Sequence, residues 1–429
     1  MPLAMGRLVD VLKDWAGGYA SARRQTRTAS GTFYLCHGPH ENDPIYTENL
    51  TDFFRGRGIA VETIGLPADG QRLELKRCQH DGAIGVIGLN TLLDHSWIGA
   101  ENFLDVAARA NVPAIHWVLD HSSTRWPEFT HATAANSRFL FLSPFSERYF
   151  QRYALPGSVT GHTTGNTGVS RHSRAARFGR RDFVERAYNC LIPLNLRRIG
   201  GSLEDAMRRR DSLGPALGRA VDRAIRTVFA DLDRPIETNF VHALADAGLD
   251  LPNDRFNFCV QIIEEIVQIK RRQWIFTVAR RYPVSIQSDG TARPIAAGGR
   301  ATFAADVDMK TTFDRMTQAR AVLSISHVND EIHNRTVNGL NAGCVNIVED
   351  NAIHRRLFAD RKDALFFRYD DGSLQACLDL VCGDPLHAYK IAKRGFRLRD
   401  RKPFRFGGFD AIVKLAQTPL PGAAEPGRR

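Results

Sequence analysis

From Thr32 onward, short apolar runs alternate with stretches whose apolar residues recur at helical spacing. Phe33-Tyr34-Leu35-Cys36 reads as a buried strand, Tyr46 to Gly56 as a helix, Ile59 to Ile64 as a strand, and Ala83 to Leu89 as a further strand behind a polar helix. Asn102 to Asn111 (helix), Pro113 to Leu119 (strand), Phe139 to Leu142 (strand) and Ser146 to Tyr153 (helix) continue the series. Such alternation predicts a parallel, doubly wound sheet, whose right-handed crossovers gather the functional loops on one edge.

The pattern breaks at a basic, Gly/Ser/Thr-rich segment from Ser158 to Arg181, where a change of domain is expected. Cys190 to Asn195 resumes an apolar strand. Residues 203–281 are helical, with Leu213 to Ala230, Thr238 to Ala247 and a long helix from Phe256 to Arg281, more helix than a minimal Rossmann half requires. Val284 to Gln287 restarts the sheet, and Ala321-Val322-Leu323-Ser324-Ile325-Ser326 is a short apolar run that ends in small polar residues, as buried parallel strands do before their functional loops. The expected plan is a basic amphipathic helix in residues 1–30, a first domain in 31–185, a second in 186–416 with 203–281 as a helical elaboration, and a disordered Pro/Gly/Ala-rich tail in 417–429.

Downstream of that run, His333-Asn334-Arg335 is a polar turn, followed by a small-residue helix that Gly343 would stop before the strand Val345 to Val348. A helix opening near Arg335 points free N–H groups and a partial positive charge at the loop before it, which suits a diphosphate, and Arg335 adds a donor matched to phosphate geometry. Gly339 permits close packing. An ordinary strand-helix unit with a surface arginine has the same local pattern.

The order of pieces carries more. From about Ala301 to Arg397 the chain resembles the C-terminal half of CgeB-like (spore-maturation type) glycosyltransferases of the GT-B superfamily: the strand Val322 to Ser326, the turn His333-Asn334-Arg335, the helix start Asn338-Gly339-Leu340-Asn341-Ala342-Gly343, the strand Val345 to Val348, the acidic turn Glu349-Asp350, and Gly383-Asp384-Pro385 with its helix. The resemblance implies an α/β fold of two Rossmann-like, doubly wound parallel-sheet domains facing a cleft. The second would hold a nucleotide-sugar donor and the first an acceptor, which could be a glycan, a lipid-linked saccharide or a protein side chain. The first domain matches more loosely, through strand order and His116-Trp117-Val118-Leu119-Asp120. For the donor, Arg335 is the expected phosphate ligand with His333 beside it. Asn334 and Asn338 could serve ribose or phosphate oxygens, Gly339 lies in the same helix, Lys310 is a weaker phosphate candidate, and Ser288 to Gly290 could close over the donor. Asn338 stands where the wider superfamily often has a Glu that holds the ribose, so it can hydrogen-bond a hydroxyl only without charge.

An inverting transfer also needs a general base. Two strand ends offer His next to a carboxylate: His37-Gly38-Pro39-His40-Glu41-Asn42-Asp43, with His37 and Glu41, and Asp120-His121-Ser122. Asp120 or His37 could take the proton, although Asp before a helix is commonly an N-cap. Asp306-Val307-Asp308 has the spelling of a metal-binding pair but follows a Gly/Ala-rich loop and reads as solvated. A cationic clamp makes a metal unnecessary, and neither metal nor cofactor is expected.

With 429 residues, 43% hydrophobic and 24% charged, the chain is long enough for two full cores. A net charge of +11 calls for an anionic partner. The basic clusters are scattered and no nucleic-acid motif occurs, so no nucleic-acid partner is expected. No apolar run has the length of a membrane span, no secretory segment opens the chain, and the seven cysteines lack C-x-x-C spacing, so a cytoplasmic protein with reduced thiols is expected, with peripheral contact to an anionic membrane open through residues 1–28. A G-x-S-x-G elbow is lacking, and the first strand leads into His37-Gly38-Pro39 rather than G-x-G-x-x-G, which argues against a serine hydrolase and a dinucleotide oxidoreductase. Two other readings of the resemblance stay open: binding of a nucleotide-sugar or anionic ligand without turnover, and nucleotide-sugar epimerisation.

Overall fold

The computed structural model describes residues 31–38, 43–65, 83–90, 92–94, 97–98, 101–109, 112–119, 136–155, 158–163, 178–194, 202–288, 298–326, 332–370, 372–401, 404 and 409–418. The expected helix in 1–30, the tail after 418, Cys78 and the loop over the donor at 289–290 lie outside them.

The first half runs β1 (Thr32–His37), α1 (Asp43–Arg55), β2 (Ala60–Gly65), β3 (Ala83–Leu89), a hairpin of β4 (Trp97–Ile98) and β5 (Glu101–Asn102), α2 (Phe103–Arg109), β6 (Ala114–Val118), β7 (Ser137–Phe141), α3 (Pro144–Tyr149) with a π-helical continuation over Phe150–Ala154, and β8 (Val159–His162). Six of these strands form one parallel sheet in the order β2-β1-β3-β6-β7-β8. The inner strands are the apolar runs, β6 and β7 being buried throughout, whereas β2 and β8 are polar and largely uncovered, as edge strands can be. One sheet face packs on α1, the other on α2.

The second half runs α4 (Arg180–Val184), β9 (Tyr188–Pro193), the helices α5 (Leu203–Asp211), α6 (Pro215–Ala230), α7 (Ile236–Asp246) and α8 (Asn253–Ala279), then β10 (Ser285–Ser288), β11 (Thr302–Ala305), α9 (Met309–Thr317), β12 (Ala319–Ser324), α10 (Asn334–Ala342), β13 (Val345–Glu349), α11 (Ala352–Leu357), β14 (Leu365–Phe367), α12 (Ser373–Gly383), α13 (Pro385–Leu398) and α14 (Asp410–Gln417). Its sheet is again six-stranded and parallel, in the order β11-β10-β9-β12-β13-β14. Side chains alternate between faces: Ala321 and Leu323 enter one core with the end of α8, α12 and α13, while Val322 packs against α9 and α10.

Helix α8 explains the helical elaboration. Its first part, from Phe256 to Val267, is the spine of a separate core with α5, α6 and α7, and its last part, Ile275 to Ala279, packs on the second sheet. Between the two cores the helix buries polar side chains, Gln268, Arg271 and Arg272, at 0%, 4% and 3% exposure. Charged groups reach such burial only where partners meet them.

Four elements differ from the sequence reading. The edge strands β8 and β11 were not expected, because each is only four residues long and none of their residues is fully buried. The helix expected from Ser146 to Tyr153 starts at Pro144 and changes to π winding at Phe150. Residues 410–417, counted above with the second domain, pack on the first sheet instead: Ile412, Val413 and Leu415 join the core of β1, β3, β6 and α1. Arg138 of β7 fixes that return by donating to the Ala416 carbonyl at 2.7 Å and the Thr418 carbonyl at 2.7 Å.

Candidate functional site

In a doubly wound sheet the crevice lies beyond the carboxyl ends of the strands, where the strand order reverses. In the second sheet that point falls between β9 and β12, and the chain leaving β12 leads to α10. His333 is the N-cap of α10, extended at φ −68° and ψ 147°, and its Nδ1 accepts the Arg335 backbone N–H at 3.1 Å. An accepting Nδ1 places the ring proton on Nε2, and the Arg335 guanidinium lies 3.3 Å from that nitrogen. Two donors therefore face each other at the mouth of a helix N-terminus, an arrangement that an oxyanion can bridge. Next to them the Asn334 side-chain carbonyl oxygen is buried without a hydrogen-bond partner, while its Nδ2 sits 4.0 Å from the Met309 sulfur.

The seat of α10 is fixed by close packing. A Cβ on Gly339 would come within 2.3 Å of Asn346 Oδ1 and 2.5 Å of Val322 Cγ1, so only glycine lets the helix lie this near β12 and β13. Thr336 Oγ1 donates to Ser324 Oγ at 3.1 Å. At the far end Gly343 adopts φ +68°, the left-handed cap that stops the helix, and Arg186 donates to the Ala342, Gly343 and Ala319 carbonyls at 3.0, 2.9 and 2.7 Å. Burial lowers the Arg186 pKa from its ordinary value.

One strand over, Glu349 ends β13 at 2% exposure. It accepts the Ser326 backbone N–H at 2.9 Å and the Tyr369 hydroxyl at 2.7 Å, and pairs with Arg271 of α8 at 3.4 Å. Burial, then the Glu349 charge, raises the Tyr369 pKa well above its usual range. Glu349 thus ties the loop that leaves β12, the strand end after β14 and the polar belt of α8 into one support at the carboxyl edge of the second sheet. Asp350 beside it is held below the ordinary carboxylate range: burial raises its pKa, and hydrogen bonds from Arg355 and Arg368 outweigh that. It pairs with Arg355 at 2.8 Å and Arg368 at 2.7 Å.

The expected donor residues separate accordingly. His333, Asn334 and Arg335 meet at one point, and Gly339 serves packing. Asn338 is in the same helix but 1% exposed. Lys310 is exposed at the start of α9, whose neighbouring Met309 touches Asn334. The pair expected to be solvated is divided: Asp306 is exposed, whereas Asp308 caps α9, accepting from the Thr311 N–H at 2.8 Å and the Thr311 hydroxyl at 2.7 Å. Arg271, Tyr369 and Arg186 were not singled out from sequence, since their partners lie far along the chain.

In the first half Asp120, His121 and Glu41 lie outside the described residues. His37 ends β1 opposite Gly65, whose Cβ position would be 3.3 Å from the His37 ring. The order of that sheet reverses between β1 and β3, so His37 sits at its switch point. Below this edge His116 is fully buried, stacked on Phe139 at 5.1 Å, and burial pushes it down to about 4 against the pull of Asp94. His354 is also fully buried, with Nδ1 2.7 Å from the Glu349 carbonyl. Among the described residues no helix is long and apolar enough to cross a membrane.

Residues 271–402 match a protein-family model described as "Glycosyl transferase-like". No curated protein matches the chain in sequence. Solved structures are similar in fold: sucrose-phosphate synthase from Thermosynechococcus elongatus superposes with a TM-score of 0.50 at 11% identity, over 90% of this chain and 98% of that one. T4 phage BGT in complex with its UDP-glucose substrate gives 0.47 at 9% identity, over 90% and 98%. Anabaena Alr3699/HepE in complex with UDP and glucose gives 0.43 at 11%, over 90% and 97%. The two six-stranded parallel sheets with their flanking helices are the GT-B fold.

Proposed function

We propose that the protein is a metal-independent glycosyltransferase that moves a sugar from a nucleoside-diphosphate donor to a glycan, a lipid-linked saccharide or a protein side chain. The observation that carries this reading is the N-terminus of α10 at the switch point of the second sheet, with the Arg335 and His333 donors converging beside the orphaned Asn334 oxygen. Charge builds on the leaving diphosphate as the glycosidic bond breaks. Fixed N–H groups and a guanidinium meet that charge without reorganising, so no metal is assigned to the step. A ribose or sugar hydroxyl can donate to Asn334, whereas Asn338, at the position where the resemblance implies a Glu, is buried within the same helix. If the anomeric centre inverts, Asp120, which follows the apolar run of β6 in sequence, or His37, at the switch point of the first sheet, removes the acceptor proton.

A panel of UDP, GDP, TDP, CDP and CMP with and without magnesium tests the donor clamp through thermal stabilisation, because a ligand of the native state alone raises stability by mass action. The reading expects a shift with one nucleotide that does not need magnesium and disappears in Arg335→Ala. No shift with any nucleotide overturns it. Asn338 favours one other reading, a binding protein without turnover, which the same shift without donor consumption in the presence of acceptors would select; consumption without any acceptor would select an epimerase. The basic start of the chain adds a contact with anionic membranes, and deletion of residues 1–28 with unchanged liposome binding would dismiss it.

A further inference from the structure

A cavity of about 550 Å³ lies where α3 and its π-helical continuation meet α7, beside the core of the helical elaboration, to which Tyr149 belongs. Its walls come from both halves of the molecule: Phe145, Arg148, Arg152 and Tyr153 from the first, Glu237 and Val241 from the second. Helix α3 starts directly after β7, with Ser143 as its N-cap, and so rises from the carboxyl edge of the first sheet. The helices that carry the other wall leave the second sheet after β9, at its carboxyl edge. The cavity is therefore on the side where the two functional edges lie.

The seam is built firmly. The Tyr149 hydroxyl donates to Asn257 of α8, Asn257 Nδ2 donates to the Tyr153 carbonyl at 2.8 Å, and the Tyr153 ring stacks on Phe256 at 4.3 Å. The π winding from Phe150 places that carbonyl and ring against α8, and such local departures from α winding recur at functional positions. Two cations stand at the opening: Arg148 lies over the Phe145 ring at 4.5 Å and Arg152 over the Tyr153 ring at 5.1 Å. Stacking holds a guanidinium in place without using its N–H donors. No carboxylate pairs with either arginine among the described residues. Glu147, the acid adjacent to Arg148, bonds to His162 Nδ1 at 2.5 Å and the Thr160 hydroxyl at 2.7 Å, and Arg148 acts on it and on Glu237 only through longer-range attraction. The acid inside the cavity, Glu237, has its pKa pushed up by burial to about 7. The aromatic walls are suited to an apolar or flat body and the mouth to an oxyanion.

We infer that this cavity binds the phosphate-bearing portion of the acceptor, with the phosphate between Arg148 and Arg152 and the adjoining apolar group against Tyr153 and Val241. The acceptor role rests on the transfer reading above, whereas phosphate binding does not. The phosphate could belong to a lipid-linked saccharide or to a soluble phosphate ester, and the two have the same headgroup chemistry.

Titration calorimetry of the full chain with phenyl phosphate and with octyl phosphate tests the inference. Binding of either supports it, and the tighter probe assigns the source, octyl for a lipid-linked acceptor and phenyl for a soluble one. The double variant Arg148→Gln/Arg152→Gln is expected to bind at least tenfold more weakly. Val241→Trp, which fills the cavity and leaves the charges in place, is expected to abolish binding. No binding of either probe, or unchanged affinity in both variants, overturns the proposal. The nucleotide shift is measured on the same samples: its absence while the phosphate ester still binds removes the donor reading and leaves the site, and the converse removes the site alone.

Discussion

The carboxyl edges of the two sheets are built from the same parallel, doubly wound plan and handle polar groups in opposite ways. In the second half they are gathered and supported: Glu349 satisfies Ser326, Tyr369 and Arg271 together, and α10 is held at one end by His333 and at the other by Gly343 and Arg186. In the first half the described polar groups mostly serve the backbone, as when Asn90 Oδ1 accepts the Leu119 N–H at 2.7 Å and Asn102 Oδ1 the Leu104 N–H at 2.9 Å. A donor diphosphate needs a preformed electrostatic site, which packing can supply. On our proposal, acceptor recognition falls to the first half and to the seam with the helical elaboration, and surface segments of that kind can change without disturbing a core.

The sharpest way to break this contrast is to remove the support itself. Glu349→Ala leaves Arg271 buried without its counter-charge and the Ser326 N–H without its acceptor, a class of change that costs about 3–5 kcal/mol. Chemical denaturation should show that loss. A cost near that of an ordinary surface substitution would mean that the network is ornamental and the two edges are alike.

A pH comparison comes next in size, because burial displaces His116 in the first half and Glu237 in the second in opposite senses. His116, in the first half, falls from 6.5 to about 4 through burial, so the folded state favours its neutral form. The stability it contributes is complete above pH 6.5 and is lost as pH falls toward 4, at most roughly 3 kcal/mol. Glu237, at the seam, rises from 4.5 to about 7 through burial, so the folded state favours its protonated form. Its contribution is therefore fullest below pH 4.5 and is lost as pH climbs toward 7, again at most roughly 3 kcal/mol. Stability measured from pH 4 to 8 should lose part of its acid slope in His116→Gln and gain stability at neutral pH in Glu237→Gln. Unchanged profiles would show that neither burial is felt.

What could be read in the sequence follows from how local each feature is. Helix α10, its glycine stop and the strands on either side lie within a few residues of one another, and the small side chains that permit close packing are visible as letters. Gly339 and Gly343 do in three dimensions what their spacing predicts. Arg271 and Glu349 are far apart in the chain, and nothing about Arg271 in a helical run distinguishes a buried partner from a solvated one. The edge strands β8 and β11 are four residues each, too short for an alternating apolar face to announce them. The return of Ile412 and Val413 to the first core, and a cavity walled by both halves, are products of topology that no local window contains.

Within the donor site, Arg335→Ala should cost about 1.5–3 kcal/mol of nucleotide binding, the range of a charge-assisted hydrogen bond, with stability nearly unchanged because the side chain is only half-buried. His333 allows a finer separation, since it both caps α10 and faces the oxyanion position. His333→Ala should lose about 1 kcal/mol of stability together with nucleotide affinity. His333→Asn restores a side-chain acceptor for the Arg335 N–H and so should recover the stability, but it lacks the ring nitrogen that points at the guanidinium, and the thermal shift by nucleotide should stay reduced. If Asn restores both, the histidine is a cap and nothing more, and the anion site of the second edge narrows to Arg335 and the backbone of the helix.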